Sequence, residues 1–224
     1  MQSDKTSMEI TNLTIEKLGD EFGTLFNNLI NEVSWIQFLW LEFNELFGKD
    51  EQRVNMLNKI APDFFQMTQT ILLESILLAI TRITDPEESN IGGETKRNLT
   101  IKAIPKYIID NPKFKKKINR KIEQIMDISS SFRDWRNRHI AHKDLILSIK
   151  NHDSKPLKTL TRQDIRLTVE RFHQLFNDLE IYYQLPKSYF DLMIIGKSSS
   201  TLIYYLENGI KYQNDLFESK LLKG

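Results

Sequence analysis

The chain of 224 residues contains no cysteine. That excludes disulfides, thiol nucleophiles and thiolate metal sites together. It has only three valines, and no stretch alternates cleanly between apolar and polar residues, so a β-rich fold has little support. No uncharged apolar run approaches the roughly 18 residues of a bilayer span, and the first nine residues carry no apolar secretory core. The expectation is a soluble, cytoplasmic protein that makes no use of a membrane. Net charge is nearly absent too, at +1.

That neutrality hides an imbalance. Residues 99–166 hold 17 Lys and Arg against 7 Asp and Glu, a local excess of +10, which leaves −9 on the remainder. A basic third in a neutral chain points to a polyanionic partner. Its densest part is Lys113, Lys115, Lys116, Lys117, Arg120 and Lys121, six cations in nine residues. These are the candidate contacts to an RNA backbone. The competing reading is a solvated helix face.

Helical periodicity dominates the rest. Apolar residues at i, i+3, i+4 and i+7 predict long helices over 20–47, 62–83, 113–142, 161–184 and 201–222, with shorter ones near 51–60 and 101–109. Gly92-Gly93 lies in a polar stretch, 87–98, expected to be a mobile loop. The domain organisation that follows is an N-terminal segment over 1–19, a helical bundle over 20–185, and a linker with a last helix over 186–224. The fold class is all-α, a bundle of four to five long helices plus short ones.

Chemistry concentrates in Arg136-Asn137-Arg138-His139-Ile140-Ala141-His142. Here two of the four histidines lie close together, beside three cationic or amide side chains. RNA is cleaved when its 2′-OH attacks the adjacent phosphorus. The reaction needs a group that moves protons near neutral pH, which histidine supplies. It also needs fixed positive charge on the phosphorane oxygens, which arginine supplies. No cofactor and no metal enters this scheme, and the sequence has no visible metal-ligand spacing, Gly-rich phosphate loop or Ser–His–Asp order. In an ideal helix, six residues turn 600°, so Arg136 and His142 stand about 120° apart. Either the helix distorts, or the site is composite across a two-fold axis. Arg138 shares the face of His142 and His139 lies one turn from Arg136, which makes both reserve candidates. Glu74 and Asp144 are supporting candidates. An ordinary ion pair of Arg136 with Asp134 or Glu74 is the competing reading. Trp135, Tyr182 and Tyr183 are candidates to stack bases or anchor an interface, although aromatic residues at helical spacing are usually core.

Arg136 to His142 resembles the R-x(4–6)-H signature of HEPN domains, with the polar residue after the arginine present as Asn137. The ending Ala141-His142-Lys143-Asp144, and the stretch from Ile71 through Asp85 to Thr100, are similar to the abortive-infection branch of that superfamily. The resemblance covers about residues 20–185. It implies a four-helix core, a homodimer with its two motifs meeting, and metal-independent endoribonuclease activity in a toxin or phage-defence role, with a cognate antitoxin or regulatory protein as a further partner. Under that resemblance His142 is the general acid/base, Arg136 binds the scissile phosphate and Asn137 orients it. In one branch a tyrosine two residues beyond the histidine is modified by a partner enzyme. Asp144 stands there instead. The alternative is a non-catalytic HEPN-like module that binds nucleic acid, nucleotide or protein.

Overall fold

A computed structural model describes residues 6–137, 159–190 and 198–221. The described elements are α1 (Ser7–Leu18), α2 (Asp20–Phe43), a π-helical turn (Asn44–Gly48), α3 (Glu51–Ile60), α4 (Pro62–Ile83), β1 (Glu88–Ile91), β2 (Glu94–Arg97), a 3-10 helix (Ile101–Tyr107), α5 (Pro112–Trp135), α6 (Arg162–Tyr183) and α7 (Ser199–Leu221). The fold is all-α, with five long helices and one small hairpin among the described residues. The chain divides into two compact units, one of residues 1–37 and 74–191, the other of 38–73 and 192–224.

The first unit buries the stripes that the periodicity predicts. Phe22, Phe26, Leu29 and Val33 of α2 are buried, as are Ile76, Leu77, Ile80 and Ile83 of α4. Ile118, Ile122, Ile125 and Phe132 of α5 are buried, as are Ile165, Val169, Phe172, Phe176 and Leu179 of α6. Phe26 meets Phe176 edge to face at 5.5 Å, and Phe22 stacks on Tyr107 at 4.7 Å. Helix starts follow local chemistry. Asn111 accepts the Phe114 amide ahead of Pro112, and Thr161 forms a capping box with Asp164.

α1 is an element that the sequence expectation left out. It begins with a reciprocal Thr6–Glu9 capping box and ends at Gly19, with φ +80°. It lies against α2 so closely that a Cβ on Gly23 would stand 2.6 Å from Ile15 Cα. Only glycine fits there.

The stretch 87–98 also differs from expectation. It is a hairpin, not a loop, with Glu88 opposite Arg97 and Ile91 opposite Glu94. The turn is Gly92-Gly93, and both residues have positive φ, +64° and +86°. A two-residue turn of that hand matches strand twist, and consecutive glycines adopt it without a Cβ clash. The short segment after Thr100 is 3-10 rather than α, with Pro105 inside it.

The second unit is built from the end of α2, the π turn, α3, the first half of α4, and α7. Leu39, Trp40, Phe43, Leu46, Phe47, Leu57, Phe65 and Ile203 are its buried apolar residues among those described. Trp40 and Phe43 stack at 5.9 Å. By length and composition α4 is the one described helix apolar enough to cross a membrane, and a third of that window is buried inside the protein. Glu74 and Arg82 interrupt its uncharged run.

Thr100 ties the first unit together at one point. It is fully buried, and its hydroxyl donates toward the Ile83 carbonyl at 3.1 Å and the Asp85 carbonyl at 2.8 Å. Thr100→Val keeps the shape and strips both carbonyls of this donor. The expected cost is about 1–3 kcal/mol, read as a lower urea midpoint with an unchanged m-value.

Candidate functional site

The end of α4 is anchored in the core by Ile76, Leu77, Ala79, Ile80 and Ile83. It stops at Asp85-Pro86, since a residue before proline disfavours helical geometry. Asn98 donates to the Pro86 carbonyl at 2.8 Å and Thr100 to that of Asp85, which fixes the chain just beyond the helix. Asp85 is thereby presented to the last turn of α5.

Two arginines on α5 meet it. Arg133 and Arg136 are three residues apart, hence on one face. Arg136 Nη1 donates to both carboxylate oxygens of Asp85, at 3.0 and 2.8 Å. Arg133 Nε lies 3.4 Å from the same Oδ1, while its Nη2 donates to the Thr84 carbonyl at 2.8 Å and the Thr84 hydroxyl at 3.2 Å. The negative end of the α4 dipole favours such cations. All three side chains are about one-quarter exposed, so the pairing is screened less than a surface pair.

Arg136 is oriented from a second side. Its Nε donates to Asn137 Oδ1 at 3.0 Å. With Nη1 on Asp85 and Nε on Asn137, the remaining amino nitrogen, Nη2, has no hydrogen-bond partner among the described residues. The guanidinium is therefore held in place through Nε and Nη1. The α-helix also changes at this point, since Arg136 and Asn137 have π-helical geometry. Such turns are rare and often mark functional positions.

One carboxylate between two guanidiniums leaves the cluster positive. Lys102 lies within electrostatic reach. Burial lowers its pKa below the usual lysine value, the charge of Arg133 lowers it further, and Asp85 and Glu87 oppose both. The arrangement suits an anion.

Arg136 and Asn137 thus stand together at this site. Arg138, His139, His142 and Asp144 lie outside the described residues. Glu74 is half-buried on α4 and makes no ion pair among the described residues. Arg82, also on α4, is paired with Glu32. The carboxylate that Arg136 meets is that of Asp85, where the sequence had pointed to Asp134 or Glu74. The sequence also missed Arg133. Its signal was the three-residue spacing to Arg136.

The basic run on α5 is divided. Lys117 and Lys121 are both tied to Asp178 of α6, at 2.9 and 3.0 Å. Lys113, Lys116 and Arg120 are exposed and Lys115 is half-exposed, and none of the four has an acidic partner among the described residues. Tyr182 stacks on Phe114 at 3.9 Å while remaining exposed, and Tyr183 packs against Phe22 at 5.6 Å, so both rings are engaged with neighbouring rings. Trp135 is half-buried.

A family model described as AbiU2, of the HEPN domains, matches residues 19–188. The chain belongs to the HEPN AbiU2 family. Asp85, Arg133, Arg136 and Asn137 all fall within the matched span of the HEPN domain. No curated protein and no solved structure matches the chain.

Asp178 supplies a pH test of the helix pairing beneath the basic run. Burial works to raise its carboxyl pKa, but the paired ammonium groups of Lys117 and Lys121 outweigh burial and hold it below the ordinary value of 3.8. A lowered folded-state pKa contributes stability that is present above the unfolded value and is lost as pH falls through the folded value. Asp178→Asn should therefore be less stable than wild type at pH 7. The gap in urea midpoint should close as pH falls through the lowered folded-state value.

Proposed function

We propose that this HEPN protein is a metal-independent endoribonuclease that cleaves single-stranded RNA, acting as a toxin or in abortive infection. The observation that carries the reading is the Arg136 guanidinium, fixed by Asp85 and Asn137 at the start of the R-x(n)-H motif with Nη2 uncommitted among the described residues. A preorganised cation costs no reorganisation when charge builds on the phosphorane. In this scheme Arg136 binds the scissile phosphate. His142 moves the proton at the 2′-OH or at the leaving 5′-oxygen. The 2′-oxygen forms a bond to phosphorus as the bond to the 5′-oxygen breaks. The products are a 2′,3′-cyclic phosphate and a 5′-OH, and the protons balance between the two oxygens. Asp85 and Arg133 position Arg136, and the exposed cations Lys113, Lys116 and Arg120 follow the RNA backbone.

Purified protein should cleave single-stranded RNA to those ends with chelator present or absent. His142→Ala should abolish cleavage, and a strict need for added metal would reject the scheme. Asp85→Asn keeps the shape but removes the charge that holds Arg136. It should lower kcat/KM by roughly tenfold or more, since small misplacements of a catalytic group are costly. RNA binding by that variant should change less than its rate of cleavage.

Binding has its own readout. Each lost contact with a single-strand phosphate removes about 0.7 from the slope of log K against log salt. Reversing Lys113, Lys116 and Arg120 to Glu should flatten that slope by about two units. Lys117 and Lys121 belong to the Asp178 pairing, and their reversal should lower stability first.

A further inference from the structure

α7 is a 23-residue helix that lies beyond the matched family span. Ser199 at its start is anchored, with its amide donating to the Glu42 carboxylate at 2.9 Å. Ile203 is buried. From Tyr204 to Lys220 no residue is buried. A helix of that length is marginal in water without a packed face.

Its face is nonetheless built for packing. At 100° per residue, Tyr205, Leu206, Ile210, Tyr212, Leu216 and Phe217 share one half of the helix, with Glu207, Lys211, Asp215 and Glu218 on the other. Tyr205 is 67% exposed, Tyr212 68% and Phe217 64%. The chemistry of the polar half limits what can cover the apolar one. Helices that lie on membranes carry Lys and Arg on their polar side. Three acids stand against one lysine there, and with Lys220 on the other half the helix still carries three acids against two lysines, which disfavours an anionic lipid surface and RNA alike.

The order of residues points to a particular occupant. Read outward from Lys211, the helix has nearly the same pattern in both directions. Ile210 answers Tyr212, Gly209 answers Gln213, Asn208 answers Asn214, Glu207 answers Asp215, Leu206 answers Leu216, and Tyr205 answers Phe217. A two-fold interface is isologous, with residue i on residue j and j on i. An antiparallel pair of α7 helices centred at Lys211 meets that condition. Leucine then lies level with leucine and ring with ring, and Gly209 leaves room for Gln213. The like charges Glu207 and Asp215 sit on opposite edges. A Cβ on Gly209 would meet nothing within 4 Å in the single chain, so the space for a partner is open.

The area is sufficient. Aromatic side chains carry about 150–250 Å² each. Three of them at two-thirds exposure, with the exposed parts of Leu202 and Leu216, amount to about 500 Å² per copy. A symmetric pair buries about 1,000 Å² in all, the lower bound for a specific interface.

We propose that the apolar face of α7 docks on the same face of a second copy of this chain, antiparallel and centred at Lys211. The inference is independent of RNA cleavage, and failure of either leaves the other standing. The chain has no cysteine, so single cysteines report contacts cleanly. Full-length Leu206→Cys and Leu216→Cys chains, mixed and oxidised, are expected to form a mixed disulfide dimer. Neither should do so efficiently alone, because only the unlike positions are level within disulfide reach. In sedimentation equilibrium, Tyr212→Glu with Phe217→Glu should weaken self-association at least tenfold while helical content stays unchanged. Three results would overturn the proposal: efficient self-cross-linking of Leu216→Cys alone, no mixed cross-link at concentrations where wild type self-associates, or a wild-type monomer that floats with phosphatidylglycerol vesicles.

Discussion

The site depends on one carboxylate shared between two guanidiniums. Asp85 stands just past the end of α4, and Arg133 and Arg136 reach it from the last turn of α5 and the residue after it. Remove the acid, and two positive charges face each other beside a buried core. Remove either arginine, and a partly buried carboxylate loses much of its compensation. The contact therefore serves two purposes. It locks two helix ends of the first unit to each other, and it aims the guanidinium that begins the HEPN motif.

The surroundings make that contact rigid. Thr100 bonds the two carbonyls nearest the turn, and Asn98 bonds the next. Those two residues follow the hairpin directly. The hairpin, whose own strands are largely exposed, thus returns the chain to the Asp85 turn. Asn137 finishes the arrangement from the other side. The bonds from Thr100 and Asn98 are neutral, whereas that to Asn137 is charge-assisted because the guanidinium donates it.

Helix content and core stripes were legible in the sequence because amphipathic periodicity is a local signal. The starts at Glu51, Pro62 and Arg162 matched capping and proline chemistry. The family was legible from the motif and its flanks. The Asp85–Arg136 pairing was not, since it joins residues 51 apart that no periodicity relates. Asp85 shares a helix face with Glu74 and Thr81 and precedes a proline, and neither signal names Arg136 as its partner. The hairpin was mistaken for a loop because its strands, Glu-Ser-Asn-Ile and Glu-Thr-Lys-Arg, lack β-rich composition. Only the glycine pair marked it. Tyr182 and Tyr183 showed helical spacing, and the rings are indeed used for packing.

The π turn at Asn44–Gly48 has a consequence for how the chain tolerates changes in length. Its hydrogen bonds close over five residues rather than four, so it holds one residue more than a continued α-helix would need. Leu46 and Phe47 are buried in that geometry. Loss of one residue there would let α2 run on as a regular helix, at no cost in backbone bonds. Positions beyond the turn would then keep the faces they have now, because the turn is what absorbs the extra residue. The same deletion within regular α-helical turns would rotate every later position by about 100°, which makes this short segment the place where the second unit can lose a residue without losing its register.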